Sequence, residues 1–134
     1  MQQVLSENRR QWLQTSAVVA AVAVGLPIPA VLAQESGLFA TVRRGKLKPG
    51  SADELAKRAK AGAVPILKRI AGFRAYYVVY GASDTVTTIT LYSNAASAEE
   101  ANKQMLPWIR ENLAPLLEGP PEAVEGNVVV AALA

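Results

Sequence analysis

The sequence predicts an α+β domain of order β-α-β-β-α-β, a ferredoxin-like four-stranded antiparallel sheet with two helices on one face. Three observations predict it. Two segments place apolar residues at helical spacing, one from Ala52 to about Ile70 and one from Ser97 to Glu118. Four further segments are rich in β-branched and aromatic residues with alternating pattern. Only Gly81-Ala82-Ser83-Asp84 separates the second and third of these, which makes them a hairpin. Two helices, four strands and one central hairpin in this order make the split βαβ arrangement.

Each element has its own signal. Leu38 to Leu47 alternates, with Leu38, Ala40 and Val42 on one face and Phe39, Thr41 and Arg43 on the other. Lys48-Pro49-Gly50 ends this strand. Ser51 stands three residues before Glu54, the spacing of a capping box. The helix that follows carries Leu55, Ala59, Ile66 and Ile70 as its apolar stripe, with Ala63 and Leu67 beside it. Pro65 lacks an N–H and crowds the carbonyl four residues back, so a kink is expected near Ala61. Phe73 to Gly81 forms strand two and Thr85 to Tyr92 strand three. Ser97-Ala98-Glu99-Glu100 repeats the capping-box spacing before a second helix, which turns Ala101, Met105, Trp108, Ile109 and Leu113 inward. Pro107 predicts a second kink. Glu118-Gly119-Pro120-Pro121 stops the helix, and strand four is expected from Glu122 to Leu133, centred on Val128-Val129-Val130.

Residues 1–33 differ in character from 34–134, the folded domain. A polar stretch with Arg9 and Arg10 precedes an Ala- and Val-rich run, and Val31-Leu32-Ala33 offers small or apolar residues before a cleavage after Ala33. This three-part layout is that of an export signal peptide. The run is too short and too broken to span a bilayer, which takes about 20 apolar residues. Asn8-Arg9-Arg10-Gln11-Trp12-Leu13-Gln14 resembles a twin-arginine motif, with departures at Asn8 and Gln14. The expectation is a periplasmic or secreted protein that meets the membrane only during export. An uncleaved N-terminal membrane anchor and an ordinary secretory signal stay open as alternatives.

Of the 134 residues none is Cys and none is His. Disulfides, thiol catalysis and Cys or His metal ligation are therefore excluded for this chain. The net charge of +3 falls further once Arg9, Arg10 and Glu7 are set aside, leaving 12 basic against 10 acidic residues. No basic stripe with interleaved aromatics suits nucleic acid. The densest cluster, Arg43, Arg44, Lys46 and Lys48, reads as a solvated strand end, with an anion site as the alternative. No metal or cofactor is expected.

The strands carry apolar or aromatic residues on both faces, whereas two helices cover only one. A sheet with two apolar faces needs two covers. The expectation is a homodimer in which the open faces meet, with a pocket between sheet and helices in each half.

Phe73-Arg74-Ala75-Tyr76-Tyr77-Val78-Val79, Ser97-Ala98-Glu99-Glu100-Ala101-Asn102, Trp108-Ile109-Arg110-Glu111-Asn112-Leu113 and Pro120-Pro121 resemble the antibiotic biosynthesis monooxygenase-like domains of the dimeric α+β barrel superfamily. The resemblance covers about residues 37–133. It implies a homodimeric, cofactor-independent monooxygenase acting on a small aromatic substrate. Haem-degrading members use a His ligand, and this chain has none. A non-catalytic dimer that binds a small ligand, or only assembles, is the competing reading.

No catalytic set is carried over from the family. The candidates are Tyr77, Trp108, Asn102 and Arg74. A phenol on strand two, at Tyr76, Tyr77 or Tyr80, offers a hydrogen bond or a base, against a plain packing role. Trp108 offers a wall for a planar ligand, against a core anchor. Asn102 and Trp108 are six residues apart and do not share a helix face. Arg74 offers a cation for a carboxylate or phenolate, against a surface position.

Overall fold

The computed structural model describes residues 37–134. Arg9, Arg10, Ala33 and the whole export signal lie outside the described residues.

Residues 38–127 form one unit. Its sheet contains β1 (Phe39–Lys46), β2 (Phe73–Tyr80), β3 (Thr85–Tyr92) and β4 (Glu122–Asn127) in the order β2-β3-β1-β4, with every pair antiparallel. The first helix is continuous: α1 (Ala52–Arg58), a π-helical turn (Ala59–Ala63) and α2 (Val64–Lys68). The second consists of α3 (Ala95–Trp108), a π-helical turn (Ile109–Leu113) and a short 3₁₀ turn (Ala114–Leu116). This is the predicted ferredoxin-like α+β architecture.

The π turns explain which residues are buried. On the first helix the buried residues are Leu55, Ala59, Ala63, Leu67 and Ile70, and on the second Ala98, Ala101, Met105, Ile109 and Leu113. Steps of four dominate both series. In an ideal helix of 3.6 residues per turn, three steps of four would rotate the stripe by about 120°. One wide turn takes up that drift, closed by Val64 N–H to Ala59 O in the first helix and Ala114 N–H to Ile109 O in the second. The expected kink near Ala61 is thus a π turn, and Leu67 with Ala63 replaces Ile66 at the centre of the buried stripe.

Both capping boxes are corrected. Ser51 stands at the first N-cap but its side chain makes no capping bond, and Glu54 instead accepts from Arg58 at 2.7 Å. The second helix begins before Ser97: Asn94 is its N-cap and accepts from the Ser97 backbone N–H at 2.8 Å. The extended backbone at Asn94 turns its side chain toward that orphan donor.

Strand two contains an irregularity that its alternation did not reveal. The register shifts between Phe73 and Ala75, so that Phe73 packs on the core with Tyr76 and Val78, and Arg74 is exposed at the bulge. Strand four is shorter than expected. It ends at Asn127, opposite Phe39, where β1 itself begins. Residues 128–134 carry no regular secondary structure.

The sheet has two unlike faces. Thr41, Val86, Thr90 and Tyr92 are buried on the helix side. On the other side one row crosses all four strands, Tyr77–Ile89–Val42–Val124, with Ala75–Leu91–Ala40–Gly126 beside it. Tyr77 and Val124 are 55% and 69% exposed, which makes this face an open apolar surface. Among the described residues no helix is long and apolar enough to cross a membrane.

Candidate functional site

Between the sheet and the helices lies a cavity lined mainly by Leu55, Val86, Met105, Ile109, Leu113 and Leu117, with Arg43, Tyr76 and Thr88 as its polar side chains. Its volume is about 30 Å³, room for one or two waters. An open cleft of about 300 Å³ adjoins the first helix and is lined by Ala56, Ala59, Lys60, Val64, Tyr76, Val78 and Tyr80. Tyr76 lines both spaces. Tyr80 bounds the cleft and donates from its hydroxyl to the Ala52 carbonyl. The expected pocket between sheet and helices is therefore small, and Tyr76 lines the larger cleft as well.

Strand alternation puts Arg43 on the helix side with Thr41, whereas Arg44, Lys46 and Lys48 are exposed. The basic cluster thus divides, and the solvated-end reading holds for those three. Arg43 is half-buried. Its Nη2 donates to Asn102 Oδ1 at 2.9 Å. Asn102 Nδ2 donates in turn to Glu125 Oε2 at 2.6 Å. Thr41 Oγ1, fully buried, donates to the same oxygen at 3.1 Å. A guanidinium has only donors and a carboxylate only acceptors, so this chain admits one orientation of the Asn102 amide. Arg58 pairs with Glu54 at 2.7 Å and Lys103 with Glu100 at 3.8 Å, each within one helix.

Burial pushes the Tyr76 phenol up to about 12, with the Arg43 charge partly opposing the rise. At neutral pH Tyr76 is therefore a hydrogen-bond donor and not a base. Burial also raises Tyr92, again with Arg43 opposing. Among the described residues no group of acidic or metal-ligating side chains is arranged to hold a metal ion.

The four sequence candidates are not brought together. Tyr77 lies on the open sheet face, away from the cavity, and Arg74 is exposed on the bulge. Trp108 is half-buried over the first helix, where a Cβ at Gly62 would overlap its indole. Only Asn102 joins a polar cluster next to the cavity. Arg43, Tyr76 and Glu125 complete the region. Alternation with Thr41 placed Arg43 inward. Nothing in the spacing linked it to Asn102, 59 residues away, or to Glu125.

The fold and site define an α+β domain with an apolar cavity under a single cation. Solved structures share the fold. A monooxygenase of Streptomyces coelicolor, solved in complex with nanaomycin D, is 19% identical, with 76% of this chain covering 97% of that one at a TM-score of 0.63. A protein of unknown function from Nitrosomonas europaea is 23% identical, with coverages of 72% and 94% and a TM-score of 0.61. An antibiotic biosynthesis monooxygenase-type protein from the same organism is 14% identical, with coverages of 69% and 90% and a TM-score of 0.60. No protein-family model matches the chain, and no curated protein matches it.

Proposed function

We propose that this domain acts outside the cytoplasm as a homodimer and oxygenates a small aromatic substrate without a cofactor. The observation that carries this reading is one cation, Arg43, beside a protonated phenol, Tyr76, in a cavity whose one other polar side chain is Thr88. Such a lining excludes water and strengthens the field of the one charge it holds. An acidic phenol or enol bound there is held as its anion by Arg43. The anion's ring carbon then forms a bond to dioxygen, and the peroxide takes up the proton first lost from the substrate; loss of the remaining proton on that carbon breaks the O–O bond, which leaves a ring ketone and releases the outer oxygen as water. Tyr76 supplies a hydrogen bond to the oxygen that carries the charge. On this reading the ring occupies the adjoining cleft of about 300 Å³, which Tyr76 lines together with the cavity. The likeness in fold to the Streptomyces coelicolor monooxygenase supports the reaction class.

The open apolar row Tyr77–Ile89–Val42–Val124 supports the homodimer. The Arg9-Arg10 pair and the Val31-Leu32-Ala33 boundary support export by the twin-arginine route. Replacing both with Arg9→Lys and Arg10→Lys stops transport on this reading, and continued transport leaves an ordinary signal.

Oxygen uptake with a panel of anthrone- and quinol-like substrates tests the reaction. Turnover that falls at least tenfold in Arg43→Met supports it. Uptake at background with every substrate sinks it. The competing reading, a non-catalytic ligand-binding domain, is favoured by the lining itself, which includes no carboxylate and whose phenol, Tyr76, keeps its proton at neutral pH. Ligand binding without uptake selects that reading.

A further inference from the structure

We infer that the cavity of about 30 Å³ between sheet and helices is a dioxygen site, and that Gly45 is the residue that keeps it open. The inference rests on the reading of this region as the place where an aromatic ring is oxygenated.

Size separates the two spaces. The cavity admits one or two molecules of the size of water. Dioxygen is of that size, and an aromatic ring is not. The cleft of about 300 Å³ takes the ring, and Tyr76 is common to both linings. Polarity separates them further. The helix wall of the cavity is built from Leu55, Met105, Ile109 and Leu113, all buried and none with a hydrogen-bonding group. A trapped water wants about two to four polar partners, whereas apolar cavities stay dry and take up apolar guests. Dioxygen has no dipole and asks for no partner.

The sheet wall carries the second observation. Two directly opposed pairs of the β1–β3 ladder form it, Arg43–Thr88 and Gly45–Val86. Glycine is disfavoured inside a strand, and there it often marks the close approach of a ligand or another backbone. The backbone does not require it at position 45, whose φ lies outside the left-handed region. Crowding does not require it either. A Cβ at Gly45 would meet Leu117 Cδ2 at 3.4 Å and Pro121 Cβ at 3.5 Å, ordinary contacts with two other residues of the lining. An alanine would fit without strain and would fill part of the cavity. The glycine leaves that space to a guest.

Dioxygen is paramagnetic and speeds the relaxation of methyl protons that it touches, so proton relaxation of the full chain under oxygen tests the site without any substrate. In wild type the methyls of Leu55, Met105, Ile109 and Leu113 are expected to relax faster than those of Leu67 and Ile70, which are as deeply buried but do not line the cavity. In Gly45→Ala the excess is expected to fall by at least about half, because one methyl group takes a large share of a space for one or two small molecules. Val86→Ile, a second variant on the facing residue, is expected to act alike. With an oxidised substrate in hand, both variants are expected to raise KM for dioxygen at least about threefold and to leave KM for the ring within about twofold.

Cavity methyls that relax no faster than Leu67 and Ile70 overturn the inference and leave the reaction itself to the uptake panel. So does an excess that survives both variants, or a KM for dioxygen that neither variant moves. Uptake at background with every substrate removes the oxygenase reading instead, and the relaxation excess alone then decides whether the cavity takes dioxygen.

Discussion

Gly62 in the first helix lies directly against the indole of Trp108 in the second. A Cβ at position 62 would overlap Nε1, Cε2 and Cζ2 of the ring. In the middle of a helix Ala is normally better than Gly by about 1 kcal/mol. Here the helix–helix contact decides the sign. Gly62→Ala is expected to destabilise by about 1–3 kcal/mol, the range of overpacked cores. Denaturant unfolding checks it, and a stabilised variant would contradict the contact. In a Trp108→Leu background most of the penalty should vanish, since the two residues share one interface.

The two helix starts are expected to respond differently to loss of their caps. Asn94 bonds the Ser97 N–H, so Asn94→Ala should cost about 1 kcal/mol. Ser51 makes no such bond, and Ser51→Ala should stay within about 0.5 kcal/mol of wild type. Equal losses at the two positions would mean that Ser51 caps after all.

Tyr76 makes stability depend on alkaline pH. Its folded-state phenol titrates at about 12, above an unfolded value near 10. The folded state therefore holds the proton more tightly than the unfolded state between those values, and stability falls as pH rises through that window. Its contribution is fully present below pH 10 and is lost by about pH 12, a loss of about 2–3 kcal/mol. Tyr80 and Tyr92 are also raised and act in the same direction. The difference in stability between wild type and Tyr76→Phe, followed from pH 9 to 12, isolates the Tyr76 part. A constant difference across that range would refute it.

The proposed dimer places Ile89 and Val42 at the centre of the buried face. Ile89→Arg puts a charge where two sheets would meet, at a cost of several kcal/mol to association. Sedimentation at micromolar concentration should give a dimer for wild type and a monomer for this variant. A wild type that sediments as a monomer would dispose of the dimer altogether.

Much of the fold is legible in the sequence because its signals are local. Thr85 to Tyr92 is almost wholly β-branched or aromatic, and Gly81-Ala82-Ser83-Asp84 turns the hairpin, with Ser83 and Asp84 at positive φ. Pro65 marks the disturbed turn of the first helix to within a few residues, although its form as a π turn follows from the need to keep Ala63 and Leu67 against the sheet. The candidate site was far less legible. Arg74 and Tyr77 were reasonable by residue type, yet a one-residue shift of register at the bulge settles where β2 side chains point. The length of β4 was hidden as well. Val128-Val129-Val130 has strand composition, but the β1 ladder ends at the Phe39–Asn127 pair.

What the sequence determined by itself was the set of elements, their order and the two apolar sheet faces, along with the absence of thiol and imidazole chemistry. Those depend on residue identity and short-range periodicity. The pairing of Gly62 with Trp108, the bond from Arg43 to Asn102 and the bond from Asn102 to Glu125 were decided only by tertiary structure. Each joins residues from different elements, 46, 59 and 23 positions apart where the chain meets. Their contact depends on how the π-widened helices seat on the sheet, and no local pattern encodes that.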